Sequence, residues 1–178
     1  KCGLGVMRFA SNDVYEGNWR GDKINGKGAM KYGCQDAYGS KFDDSMSERK
    51  GGRGKIFKGS DYYVGDWVDG KKRGKGIMKF GNGEVYDGGW DGDRKCGTGI
   101  CTYANGDTCQ GNWIADKKIG HGCIHYANGD VYEGHFNQDK RKGHGIMTYA
   151  NGKVYSGQWK DDRKYEVEVM SSKLDDFD

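Results

Sequence analysis

Aromatic residues and glycines alternate with polar residues along this chain at a period of two, and the pattern returns every 23 residues. A period of two is that of a β-strand, whose successive side chains point to opposite faces. Counting each repeat from its first aromatic, position 1 holds Tyr15, Tyr38, Tyr63, Tyr86, Cys109, Tyr132 and Tyr155. Position 5 holds Trp19, Phe42, Trp67, Trp90, Trp113, Phe136 and Trp159. Position 18 holds Phe9, Tyr32, Phe80, Tyr103, Tyr126 and Tyr149, and a Gly-x-Gly pair recurs at positions 12 and 14. Positions 1, 3 and 5 therefore share a face with positions 12, 14, 16 and 18. The other face carries a thinner apolar strip, from position 15 (Val6, Ile77, Ile100, Ile146, Val169) and position 23 (Val14, Val85, Val131, Val154).

Asn-Gly at 82–83, 105–106, 128–129 and 151–152 reads as a type I′ turn joining two antiparallel strands. The charged stretch at positions 6–11 is then the return connection. Each repeat predicts a hairpin, and the tandem predicts an all-β protein: one elongated, twisted antiparallel sheet of about seven hairpins. Glycines at positions 3, 12 and 14 make room for rings to lie on the backbone. Residues 38–62 form a degenerate repeat with a longer loop, where a bend is expected. The array should span residues 1–171, its first repeat truncated to the strand Gly3–Phe9. Residues 164–171 read as a capping strand guarded by Glu166 and Glu168, and 172–178 as an acidic tail. Gly3–Phe9 has no such guard, so this edge is expected to pair with a second copy of the chain.

Composition changes the picture little. The mean hydropathy of −0.97 would suit a disordered chain. The 5 Trp, 12 Tyr and 6 Phe at fixed repeat positions argue for a packed sheet instead. A net charge of +3 in 178 residues gives no global attraction to polyanions. No apolar run approaches the roughly 20 residues of a membrane-crossing helix. The six cysteines share no single column, which suits a reduced compartment, and a cytoplasmic location is expected.

Tyr-x-Gly-x-Trp followed by Gly-x-Gly at this period, clearest in Tyr132–Val154 and Tyr86–Thr108, resembles the MORN repeat (membrane occupation and recognition nexus) over about residues 3–170. Cys109 and Phe136 depart from the usual Tyr and Trp. The resemblance implies a β-hairpin array without catalysis of its own. It also implies roles as a cytoskeletal, ciliary or cortical scaffold, as a protein-binding groove, as a phosphoinositide binder, or as an accessory domain of an enzyme lying outside this chain.

Candidate chemistry is sparse. Gly21–Gly28 falls one residue short of a phosphate-binding loop, because Gly28 stands where Ser or Thr is required. Cys96, Cys101, Cys109, Cys123, His121 and His125 crowd into one region as weak zinc ligands, but their columns scatter over both faces. No cofactor is expected, and no nucleic acid, because rings lie on a face and charges at an edge. The favoured reading is a scaffold whose aromatic groove binds a protein segment, an amphipathic helix or extended peptide. Its lining would be Tyr63, Trp67, Phe80, Tyr86, Trp90, Tyr103, Trp113, Tyr126, Tyr132, Phe136, Tyr149, Tyr155 and Trp159. The alternative is an anionic-phospholipid edge of Lys71, Lys72, Arg73, Arg94, Lys95, Lys117, Lys118, Lys140, Arg141 and Lys142. Every one of those loops also holds Asp, so solvated ion pairs explain the same pattern.

Overall fold

A computed structural model describes residues 1–33 and 60–165. The described residues form one antiparallel sheet of 13 strands, each paired with its neighbours in sequence. The strands are β1 (Gly3–Arg8), β2 (Val14–Arg20), β3 (Lys23–Lys31), β4 (Tyr62–Val68), β5 (Lys71–Lys79), β6 (Val85–Asp91) and β7 (Arg94–Thr102). They continue as β8 (Thr108–Ile114), β9 (Lys117–His125), β10 (Val131–Asn137), β11 (Lys140–Thr148), β12 (Val154–Lys160) and β13 (Arg163–Tyr165). The strand period, the single sheet and its meander order are as the repeat predicts.

The turns differ from the sequence reading in an instructive way. The tightest connections are at positions 7 and 8, where both residues have positive φ: Gly92 and Asp93 at 57° and 71°, Gln138 and Asp139 at 49° and 70°. Two consecutive left-handed residues make the type I′ turn. The Asn-Gly pairs lie instead in three-residue connections, in which the Gly alone has positive φ (Gly106, 93°). There Tyr103 N–H bonds the Asp107 carbonyl at 2.8 Å and Gly106 N–H bonds the Tyr103 carbonyl at 2.9 Å. Asn12 fills the left-handed position of the first such connection, at φ 65°.

The glycines divide by purpose. Gly88 is paired with Gly99 and Trp90 with Lys95, so residues 96–98 oppose the single residue Gly89 and the strand bulges. Gly97 adopts φ 67° inside that bulge, so position 12 is glycine for its backbone and not to house a ring. Positions 3 and 14 do house rings: a Cβ on Gly88 or Gly99 would come within 2.5 Å of the Tyr86 hydroxyl.

The junction of β3 and β4 also departs from the expected succession of hairpins. Met30 of β3 pairs directly with Tyr63 of β4, in the register that joins Met78 to Tyr86 elsewhere. The sheet runs on across this junction, with no hairpin from residues 38–62 inserted between the two strands, although Tyr62 itself belongs to β4. Residues 34–59, with Tyr38 and Phe42, lie outside the described residues, as do the expected capping residues Glu166 and Glu168.

Candidate functional site

The aromatic face, expected to be an open groove, is closed. Tyr63, Tyr86 and Tyr132 are fully buried, and Trp67, Trp90, Trp113, Phe136 and Trp159 are buried as well. Tyr15, Tyr63, Tyr86 and Tyr132 each stand edge-on to two position-5 rings, one from their own hairpin and one from the next in the sheet: Tyr86 lies 5.2 Å from Trp90 and 5.4 Å from Trp113. Tyr86 Oη–H donates to the Gly89 carbonyl at 3.2 Å, and Trp90 Nε1–H to the Gly76 carbonyl at 3.0 Å. Burial pushes the phenols up, Tyr15 and Tyr132 to about 12. Phe80, Tyr103, Tyr126, Tyr149 and Tyr155 remain half-buried along the border of this face.

The cover comes from residues assigned by sequence to a lipid-binding edge. Lys72, Lys95, Lys118 and Arg141, all at position 10, fold over the rings of Trp90, Trp113, Phe136 and Trp159 at 4.8, 5.2, 4.5 and 4.2 Å. Their aliphatic stems cover apolar surface while the cation meets the ring face, a gain of about 0.5–2 kcal/mol each. Lys118 is only 3% exposed. Desolvation holds the Lys72 ammonium below its ordinary pKa. Lys95 also pairs with Glu84 at 3.0 Å. These four residues are therefore structural. Lys71, Arg73, Arg94, Lys117, Lys140 and Lys142 stay exposed. Three of them face carboxylates: Arg73 meets Asp91 at 3.6 Å, Lys117 meets Asp139 at 2.8 Å, and Lys140 meets Asp161 at 3.9 Å.

Both edges are stitched by aspartates acting across repeats. On the basic edge, Asp93, Asp116, Asp139 and Asp162 accept from the backbone N–H of Lys72, Lys95, Lys118 and Arg141 at 2.8–2.9 Å. On the opposite edge, Asp13, Asp61, Asp107 and Asp130 accept from Gly33, Gly81, Ala127 and Ala150, each at 2.8 Å. The loop acids are hydrogen-bond acceptors of the scaffold.

One position interrupts the ring array. Cys109 stands where a Tyr is expected, and its Sγ accepts from Lys118 Nζ at 2.9 Å. Here the buried core divides into two clusters, one reaching Trp113 and the other starting at Tyr132. Trp113 Nε1 is buried without a hydrogen-bond partner. Cys101 and Cys109 face one another across β7 and β8, both buried, and desolvation pushes the Cys101 thiol up to about 12.

The open concavity is on the other face. A trough of about 560 Å³ runs across β5 to β10, lined by Lys75, Asp87, Thr98, Ile100, Gln110, Asn112, His121, Cys123 and Glu133 above the glycine pairs. Ile100, 47% exposed, is its aliphatic lining residue, and Ile77 and Ile146 (each 40% exposed) and Val64 (36%) lie on the same face of the sheet outside that lining. His121, Cys123 and His125 lie on this strand face and Cys101 and Cys109 on the other, so the expected scatter of those six residues is real. Sequence reasoning passed over His135 and Glu133, whose cross-strand partners on β9 are His121 and Cys123.

An open sheet of tandem hairpins with an interlocked Tyr–Trp face defines a β-hairpin repeat protein. The MORN repeat model matches residues 1–14, 15–33, 63–85, 86–108, 109–131, 132–154 and 155–164, and the chain belongs to the MORN-repeat family. The unmatched span 34–62 falls where β3 meets β4. No curated protein matches the chain. Among solved structures, it is similar to the TCP domain of SAS-4 (dCPAP) of Drosophila melanogaster, solved in complex with a proline-rich motif of Ana2 (dSTIL). The two are 16% identical, 89% of this chain and 73% of that one are covered, and the TM-score is 0.46.

Proposed function

We propose that this chain is a non-enzymatic interaction scaffold, and that it binds a protein segment along the trough opposite the Tyr–Trp face. The observation that carries this reading is the open trough across β5 to β10 with half-exposed Ile100 in its lining, on a face where Val64, Ile77 and Ile146 are also part-exposed. A concavity lined by a few apolar and several polar groups is the kind of surface on which a partner docks, and Asp87, Gln110 and Glu133 interleave the aliphatic residues with polar contacts. The Tyr and Trp rings are committed to the fold, and a partner reaching them would have to break ring pairs and displace the capping cations. The position-18 rings at its border are the part of that face still accessible.

Panning a displayed peptide library against the whole chain tests this. Selected peptides should lose binding to Ile77→Lys and Ile100→Lys and keep it with Lys71→Glu, Lys117→Glu and Lys140→Glu. The converse pattern, with sedimentation on anionic but not neutral vesicles, would replace the trough by the basic edge as the binding surface.

A further inference from the structure

Strands β9 and β10 bring four metal-binding side chains to one face of the sheet, three of them (His121, Cys123 and Glu133) lining the trough. Their register sets His121 opposite His135 and Cys123 opposite Glu133. Tyr126 N–H bonds the Asp130 carbonyl at 2.9 Å. Pairs alternate outward from there, so 123/133 and 121/135 are both of the non-hydrogen-bonded kind, with Cα atoms about 4.5 Å apart and side chains closest. Residues two apart on a strand share a face, so all four project to the same side.

We propose that this cluster is a zinc site, built by His121, Glu133 and His135 with Cys123 as the fourth donor. The spacings between these side chains are close to what the ion needs. The His121 and His135 rings stand 5.5 Å apart between centroids. Two imidazoles on one tetrahedral zinc, at Zn–N distances of about 2.0–2.1 Å, have centroids roughly 5 Å apart. His121 Nε2 and Glu133 Oε1 are 3.8 Å apart. Two ligand atoms on such an ion are about 3.4 Å apart. Among the described residues, no three such side chains converge on one point as they stand. Closing on one ion requires the imidazoles to rotate out of their edge-to-face arrangement and Cys123 Sγ to leave its 3.7 Å contact with His125 Nδ1. His121 and Glu133 are more than half exposed, so an ion reaches them from solvent without opening the sheet. Two imidazoles, a thiol and a carboxylate select zinc over magnesium or calcium, which take oxygen ligands. The site does not depend on the trough binding a partner.

The test uses the whole chain, freed of metal, with zinc titrated against a chromogenic chelator and cobalt(II) as spectroscopic probe. The expected result is one zinc per chain. Cobalt should give the intense visible bands of a four-coordinate ion and a thiolate charge-transfer band that Cys123→Ser abolishes. His121→Ala and His135→Ala should each weaken zinc by more than the roughly 10–100-fold that loss of an outer partner costs. His144→Ala, on the same face of β11, should bind like the wild type, and Trp emission should show all variants folded. No zinc uptake by the wild type, or wild-type affinity in the His121→Ala/His135→Ala double variant, overturns the proposal. A charge-transfer band surviving in Cys123→Ser overturns Cys123 as a donor.

Discussion

Ala115 and Gln138 hold φ of 48° and 49° in two-residue turns where other repeats place Gly or Asp. An L-residue with a Cβ costs about 1–2 kcal/mol in that region, and glycine avoids it. Ala115→Gly and Gln138→Gly are each expected to raise stability by about 0.5–1 kcal/mol, less than the full strain because glycine loses more entropy on folding. Denaturant midpoints at constant slope measure it, and a fall in either midpoint would contradict the assignment of strain. Their neighbours Asp116 and Asp139 must stay, because each accepts a backbone N–H from the preceding repeat. A second expectation concerns the indoles. Trp90→Phe removes a buried hydrogen bond to the Gly76 carbonyl, worth about 1 kcal/mol. Trp113→Phe removes a donor that has no partner. Trp113→Phe should therefore destabilise less than Trp90→Phe by about 1 kcal/mol, or not at all. Equal losses would mean that Trp113 finds an acceptor in solution.

Strand identity and order were legible in the sequence because a two-residue alternation at a fixed long period leaves little freedom. The turns were misassigned for a physical reason. Asn-Gly is the commonest type I′ pair, but Thr102 pairs with Thr108 and Tyr103 N–H closes on the Asp107 carbonyl, which leaves three residues in the connection and only the Gly left-handed. Here the pairing continues through Lys95 and Arg94 up to the Gly92-Asp93 corner instead. The ring face reads as open in the sequence because burial in a one-layer sheet is decided between repeats. Lys118 reads as a loop cation in its own repeat, and only Phe136 of the next repeat and Cys109 across the strand make it a buried one. The position-15 strip is legible in the sequence as one aliphatic residue per hairpin, whereas the concavity beside Ile100 is set by how neighbouring strands sit and has no sequence signal. At the element scale, the weak joint is predictable. The pair β8 and β9 lacks the tyrosine that links each repeat to the next, so the two core clusters are held together here chiefly by the ladder, Ile124 and Lys118. Amides of β8 and β9 should exchange faster than those of β6 and β7 in native-state hydrogen exchange. Uniform protection from β4 to β11 would show that Lys118 replaces the tyrosine fully.

For the whole molecule, the buried phenols set the alkaline limit. Tyr15, Tyr62 and Tyr132 are raised from an ordinary 10.0 to about 12 in the folded chain, chiefly by desolvation. A raised folded pKa means that the unfolded state gives up its proton first. The contribution is complete below pH 10 and is lost as pH rises from there through about 12. The denaturant midpoint should fall steeply over that window, with tyrosinate absorbance appearing together with unfolding. Ionisation of most tyrosines near pH 10 in a chain that stays folded would be at odds with the sealed face.

The junction of β3 and β4 has a consequence for what the array can carry. Tyr32 N–H bonds the Asp61 carbonyl at 2.9 Å, the same closure that joins Phe80 to Glu84 at 2.8 Å. Three residues in one place and the whole stretch 33–60 in the other thus satisfy one geometric slot. The entropic cost of lengthening such a connection grows only with the logarithm of its length, about 0.6 kcal/mol per doubling. Along this margin the protein behaves as a pegboard: foreign sequence, even a folded cargo, can be hung from any Asn-Gly corner while the strands on either side keep their register. The opposite margin, where both corner residues are left-handed and an aspartate from the next repeat is anchored beside them, offers no such freedom.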